Sequence, residues 1–323
     1  MALLTPVSSD DARRLGALYG LDVVAARPIL AGSVNTNVEL TLRGGGRAFL
    51  RVYEEQTPAG AAGDARLLAH LAARGVITPT PLPLAADASA FIAEHAGKAA
   101  AVFPWVEGDM LCQSRVTTHA AAQVGEALAR VHLAGASFSG APPSRFGPAD
   151  LGVRVERLRA MDLTDELRRT VDRLASRLDH HARRAPSAGG RGLVHGDLFR
   201  DNVLWEGGRI AALLDFESAS EGSYAFDLMV TILAWCFGDR LDPALARALT
   251  DGYQRARPLA PVERASLHEE GTFAALRFSI TRLTDFELRP RGSGVFKDHR
   301  RFLARLDALD ALGPDHLAEL LTG

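Results

Sequence analysis

The chain has 323 residues, which is long for one domain and suits two lobes sharing a cleft. Apolar residues make up 47% and charged residues 24%, and the formal net charge is −2. That balance excludes a disordered chain and argues against nucleic acid or a membrane surface as the main partner. Two cysteines, Cys112 and Cys236, stand far apart in apolar settings and read as core thiols of a reducing, cytoplasmic compartment. The first residues, Met1-Ala-Leu-Leu-Thr-Pro, lack a basic start and a long apolar region, so no signal peptide is expected. The most apolar helix-like run, residues 228–237, is too short to span a bilayer.

In chain order, residues 10–19 have helical spacing, with Ser9 or Asp10 as cap. Residues 23–42 read as two strands around a run of small residues. Gly32 and Ser33 lie in that run, where backbone amides could approach a phosphate, although an ordinary hairpin turn has the same composition. Residues 47–53 form a third strand whose alternation places Phe49, Arg51 and Tyr53 on one face. A helix over 59–74 follows, with Leu67, Leu68 and Leu71 on one side, and Pro79, Pro81 and Pro83 mark the next loop. Short strands near Leu84, over 91–94 and over 98–103 complete a small sheet, and residues 103–108 break the strand pattern.

Beyond that break the pattern is helical. Residues 117–134 bury Val124, Leu128 and Val131, with His132 as a packed or capping histidine. Residues 151–184 suggest two helices broken near 161–164, and further helices are expected over 224–236, 242–256, 261–286 and 297–312.

Between these helices lies the stretch that carries chemistry. Gly192-Leu-Val-His-Gly-Asp-Leu-Phe-Arg-Asp-Asn-Val-Leu-Trp205 reads as an apolar strand, a polar loop and a short strand. A Gly-Gly turn leads to a second apolar strand that ends in Asp215. Phosphoryl transfer from ATP asks for this layout: one carboxylate meets the acceptor hydroxyl, while a separate Asn and Asp hold Mg²⁺ against the phosphates. Asp197 and Asn202 stand at opposite ends of a four-residue loop, so one can face the acceptor while the other turns to the metal. The neutral oxygen of Asn202 binds a hard cation without adding a negative charge beside the triphosphate, and Asp215 supplies the full charge. A plain polar turn capping a hairpin is the alternative reading of these residues.

The pattern H-G-D-x-x-x-x-N followed by D-F resembles the aminoglycoside and choline kinase superfamily of small-molecule phosphotransferases. Within it, the chain resembles the homoserine kinases. His195-Gly-Asp-Leu-Phe-Arg-Asp-Asn-Val-Leu204, Asp227, Trp235-Cys-Phe237, Gly252-Tyr253, Arg257-Pro-Leu259, Ala275-Leu-Arg-Phe278 and Arg282-Leu-Thr-Asp285 follow that family in order over nearly the whole chain. Asp215-Phe-Glu-Ser-Ala219 departs from it, replacing an aromatic-rich run, and so does Arg51, where many members have a neutral residue.

The resemblance implies an α+β, two-lobed, protein-kinase-like fold. Residues 1–103 would form a nucleotide-covering lobe of antiparallel sheet, and residues 104–323 a mainly helical catalytic lobe. The resemblance makes 31–37 the nucleotide-covering hairpin, Arg51 the phosphate-binding cation and Phe103 the start of an adenine-facing hinge. The only two lysines, Lys98 and Lys297, lie elsewhere in the chain. Asp64 stands where the family has a longer glutamate that orients this cation, with Glu54 or Glu55 as alternatives. The implied reaction is ATP- and Mg²⁺-dependent phosphorylation of the L-homoserine hydroxyl, a step of threonine biosynthesis. The alternatives are another small acceptor (choline, a sugar derivative or an aminoglycoside) or a nucleotide-binding regulator without turnover. Homoserine is a zwitterion, so its site needs a cation for the carboxylate and an anion for the ammonium. Arg277, Arg282 and, from the catalytic loop, Arg200 are candidates for the carboxylate. Asp285, on the Arg282 face at i, i+3, is the candidate for the ammonium, although an intrahelical ion pair would use the same residues.

Overall fold

The computed structural model describes residues 5–30, 34–184, 188–288 and 297–323. They fall into two compact units, one of residues 5–107 and one of 108–288 with 297–323. Gly32 and Ser33 lie outside the described residues.

The first unit opens with helix α1 (Ser9–Leu18). Its cap is Ser8, one residue earlier than expected, because only from there does Asp11 stand three positions on and return a hydrogen bond to the cap backbone. Strands β1 (Val23–Ile29), β2 (Thr36–Leu42) and β3 (Arg47–Val52), helix α2 (Pro58–Ala72), β4 (Ala93–His95) and β5 (Lys98–Pro104) follow. The five strands pair antiparallel in the order β1-β2-β3-β5-β4. The period of two separates the faces of β3. Ala48, Leu50 and Val52 pack with Leu15, Leu40 and Val102 on one side, while Phe49 and Tyr53 join Ala61, Ala101 and Phe103 on the other.

One expectation changes here: the strand near Leu84 is a single bridge to Asp87. The strand expected over 98–103 is β5, opened by Lys98, whose ammonium is held by the Glu54 carboxylate.

The second unit contains α3 (Thr118–Gly135), α4 (Pro148–Arg159), α5 (Asp165–Ala182), β6 (Arg191–Val194), β7 (Val203–Glu206), β8 (Arg209–Leu213) and β9 (Ser220–Ser223). It continues with α6 (Tyr224–Trp235), α7 (Pro243–Ala256), α8 (Pro261–Arg282) and α9 (Arg300–Thr322). The hairpin β7–β8 is the expected one, whereas β9 has no strand-like composition and exists because it pairs with β6. Helix α6 is its centre: every residue but Phe226 is buried. Helices α3 and α7 cross with their backbones in contact. A Cβ on Gly125 would stand 1.9 Å from the Leu249 carbonyl oxygen, and one on Gly252 2.0 Å from that of Ala122. This crossing is what brings His132 of α3 to Tyr253 of α7.

Helix α8 ends at Arg282 and gives way to a π-helical turn, Leu283–Glu287, instead of running on to 286. Helix α9 starts at Arg300, breaks at Gly313 beside Pro314 and resumes. Cys236 is buried, but Cys112 is exposed in the loop before a short turn and is not a core thiol. Among the described residues no helix is long and apolar enough to cross a membrane.

Candidate active site

The loop between β6 and β7 is polar, yet most of it is buried, so each backbone group needs a partner. The amides of His195 and Gly196 both donate to Asp227 of α6, at 2.7 Å to each carboxylate oxygen. The Gly196 carbonyl accepts from Arg277 of α8 at 2.6 Å, and the Leu198 carbonyl from the indole N–H of Trp235 at 2.9 Å. Gly196 itself has φ +74°, and a Cβ there would stand 2.9 Å from the Ser218 carbonyl oxygen, so only glycine fits. His195 is fully buried and bridges the loop to the next strand, its Nε2 donating to the Leu214 carbonyl at 3.0 Å. Burial holds this imidazole below its ordinary pKa, so it is neutral, and its Nδ1 accepts the Asp197 amide at 3.3 Å.

Asp227 is the end of a buried chain of polar groups. It accepts His132 Nε2 at 3.0 Å, and His132 Nδ1 meets the Tyr253 hydroxyl at 2.7 Å. Tyr253 in turn accepts from Arg257 at 3.1 Å, and Arg257 pairs with Glu263 at 2.6 Å. Glu263 also accepts the amide of Gly190, just ahead of β6, at 3.2 Å. Burial alone would raise the Asp227 pKa. The hydrogen bonds from His132 and from the Gly196 amide outweigh it and hold the carboxyl below its usual range. The sequence held one sign of this network, because Asp227 is the only charge in the apolar run 224–236. Nothing local showed that His132 would be its partner.

The three residues of the phosphoryl-transfer layout sit around this anchored loop. Asp197 keeps part of its surface open although the recess around it is crowded. Burial pushes its carboxyl up to about 7; Arg277 pulls the other way and Asp215 adds to the rise. Asn202 is buried, and its amide nitrogen donates to the Asp197 carbonyl at 2.7 Å, which leaves its oxygen as the end able to meet a cation. Asp215, exposed at the end of β8, has φ +62° and ψ +61°. A non-glycine residue held in the left-handed region costs of order 1–3 kcal/mol, and such strain concentrates at functional sites. Two hard oxygen donors of this kind fit a divalent cation whose remaining ligands are phosphate and water oxygens. Among the described residues no three His, Cys, Asp or Glu side chains could hold a metal by themselves.

The other predicted residues divide by unit. In the first unit, Arg51 lies on β3 with its Nε 3.4 Å from Asn37 Oδ1 and its guanidinium 5.7 Å from the Phe49 ring. Asp64 accepts the Gln56 side-chain amide at 2.9 Å, and Glu54, the alternative orienting group, is engaged by Lys98 and Thr36. Phe103 is not the start of a hinge. Its ring is buried edge-on against Phe49 and the strand runs to Pro104, so the break begins at Trp105.

In the second unit, Arg200 is spent on the Gln113 side chain and the Ala234 carbonyl. Arg277 is buried between aromatic rings, 4.2 Å from Phe146 and 4.6 Å from Phe278, and its hydrogen bond goes to the Gly196 carbonyl. It therefore serves the catalytic loop. The expected Arg282–Asp285 face does not form, because the π turn changes the spacing. Asp285 pairs with Arg154 at 2.6 Å and Arg282 donates to the Asp298 carbonyl at 3.0 Å.

Residues 25–259 match the family described as the phosphotransferase enzyme family. The homoserine kinase of Afipia carboxidovorans is 34% identical over 316 residues, 95% of this chain and 94% of that protein. The homoserine kinase of Caulobacter vibrioides is 33% identical over 303 residues, 91% and 93% of the two chains. Among solved structures, an amicoumacin kinase bound to AMP-PNP, Ca²⁺ and its antibiotic superimposes with a TM-score of 0.71 at 15% identity, covering 95% of each chain. A spectinomycin phosphotransferase superimposes with a TM-score of 0.65 at 12% identity, covering 98% of each. At such identities the likeness is one of fold, a protein-kinase-like one.

Replacing Asp227 should be costly because its donors stay behind without an acceptor. Asp227→Ala is expected to lose about 3–5 kcal/mol of stability, and the folded fraction should lose turnover as the loop is freed. Denaturant titration with activity assays checks this; a wild-type midpoint would disprove the anchoring role.

Proposed function

The chain belongs to the phosphotransferase enzyme family, and from that membership we propose that it moves the γ-phosphoryl group of ATP to the side-chain hydroxyl of L-homoserine. The observation that carries the chemistry is the bond from the Asn202 amide to the Asp197 carbonyl, which ties acceptor-side carboxylate and metal-side oxygen into one unit. Relatives named homoserine kinase, aligned over most of the chain, support the choice of acceptor.

In this reading Asp197 orients the acceptor hydroxyl and takes its proton. The hydroxyl oxygen forms a bond to the γ-phosphorus as the bond from that phosphorus to the β–γ bridging oxygen breaks, and ADP leaves with that electron pair. Asn202 and Asp215 are the residues that would hold Mg²⁺, which, bound with ATP, neutralises phosphate charge. Arg277 keeps the Gly196 carbonyl, and with it Asp197, in place. On the nucleotide side the proposed contacts are Arg51 with Asp64 in support, and the amides around Gly32 and Ser33. Of the carboxylate candidates, Arg200 has two acceptors and Arg277 holds the Gly196 carbonyl of the loop itself. That favours Arg282, whose hydrogen bond goes to the Asp298 carbonyl, away from that loop. Asp285 would meet the ammonium through Oδ2, since its bonds to Arg154 and Thr284 both use Oδ1.

The direct test is ADP release with L-homoserine, choline, a sugar derivative and an aminoglycoside as acceptors. L-Homoserine should give by far the highest kcat/KM; choline or an aminoglycoside turning over faster would overturn the assignment. Asp197→Ala should lower kcat by roughly 10²–10⁴ while ATP still binds, and near-normal turnover would remove Asp197 from its role. Asn202→Ala should raise the cation requirement, and Asp215→Asn should abolish metal-dependent turnover. Mg²⁺ titrations identical to wild type in both variants would reject the metal assignment. Arg51→Ala should raise the KM for ATP more than that for the acceptor at an unchanged melting temperature; equal effects would point to a surface arginine.

A further inference from the structure

Four arginines converge near the catalytic loop: Arg200 from the loop itself, Arg282 at the end of α8, and Arg301 and Arg305 on α9. Among the described residues no carboxylate forms an ion pair with any of them, although Asp197, Asp201 and Asp298 act on Arg282 from further off. Arg305, buried, spends its donors on backbone carbonyls, with Nε 2.8 Å from that of Leu233 and Nη2 3.4 Å from that of Phe237. Arg200 similarly uses the Ala234 carbonyl. These acceptors sit at the C-terminal end of α6, where the helix dipole is negative and favours cations. Arg282 has no such compensation. It is 9% exposed, its Nη1 reaches one carbonyl, and among the described residues its buried Nε has no acceptor. Its guanidinium and that of Arg305 lie 4.5 and 4.6 Å from the same Phe302 ring, so two like charges share one wall.

A buried guanidinium with unused donors and like-charged neighbours is expensive unless an anion completes it. Burial first, and then the neighbouring arginines, lower the pKa of Arg282 to about 10 and of Arg305 to about 9. Both remain charged at neutral pH. Phe302, against which Arg282 lies, is itself 5.9 Å from the Phe199 ring of the catalytic loop, so the cluster lies beside that loop. The only acidic group assigned to the acceptor ammonium, Asp285, is already paired with Arg154 at 2.6 Å.

Resting on the acceptor reading above, we propose that Arg282, reinforced by Arg200, Arg301 and Arg305, is a carboxylate subsite that dominates acceptor choice. The subsite takes short ω-hydroxy carboxylates as a class, and the acceptor ammonium is secondary. The chain would then also phosphorylate 4-hydroxybutanoate, which is homoserine without its amine. The transfer is the same: the terminal oxygen bonds to the γ-phosphorus, its proton passes to Asp197, and ADP departs.

Steady-state kinetics with L-homoserine, 4-hydroxybutanoate and 3-amino-1-propanol test this in the wild type and in Arg282→Gln, Arg282→Lys and Arg301→Gln. Loss of the ammonium should lower kcat/KM about tenfold or less, and loss of the carboxylate about a hundredfold or more. Arg282→Gln should raise the KM for both carboxylates at an unchanged KM for ATP and remove the preference over 3-amino-1-propanol. Arg282→Lys should restore part of it. Arg301 is exposed, so Arg301→Gln keeps the fold testable if Arg282→Gln does not fold; it should raise the carboxylate KM a few-fold. Turnover of homoserine with no preference for the carboxylate, or with discrimination intact in Arg282→Gln, overturns the subsite alone. No turnover of homoserine by the wild type overturns the acceptor reading itself.

Discussion

The amides of His195 and Gly196 end on one buried carboxylate, Asp227, and the loop that carries Asp197 and Asn202 is anchored through that contact. The carboxylate can be buried because three donors meet it: two backbone N–H groups and His132. Each donor needs the carboxylate in return, since a buried N–H without an acceptor costs about 1–3 kcal/mol. The dependence runs further along the chain. His132 is held by Tyr253, Tyr253 by Arg257, Arg257 by Glu263, and Glu263 accepts the amide of Gly190. Strand β6 is therefore tied at both ends by one hydrogen-bonded series. A loop that must be open at Asp197 gains its rigidity from the helices behind it.

The same segment concentrates backbone conformations that ordinary residues avoid. Gly196 and Asp215 both lie in the left-handed region, the first where a side chain would strike the Ser218 carbonyl, the second with an aspartate that bears the strain. Strain of this kind persists only where surrounding packing over-determines it. Here that packing is α6, buried on nearly all sides, whose Asp227 and Trp235 both hold the loop. Asp197 lies between charges of both signs, with Arg277 and Lys297 favouring its carboxylate and Asp215 and Asp201 opposing it.

Periodicity and spacing along the chain determined much of this. The alternation in β3 placed Phe49 and Tyr53 on one face and Leu50 and Val52 on the other, because a pleated strand imposes a period of two whatever surrounds it. The spacing of Asp197, Asn202 and Asp215 foretold that the three lie close together, since one short loop and one hairpin join them. Contacts between distant residues were decided only by the tertiary structure. His132 meets Tyr253 because Gly125 and Gly252 let α3 and α7 touch, and β9 is a strand because β6 lies beside it. The π turn after Arg282 sends Asp285 to Arg154 and leaves Arg282 among other arginines, where an ideal helix would have paired the two. Local pattern reports what a segment does with its own backbone, whereas the partner of a buried charge is set by whichever element packs against it.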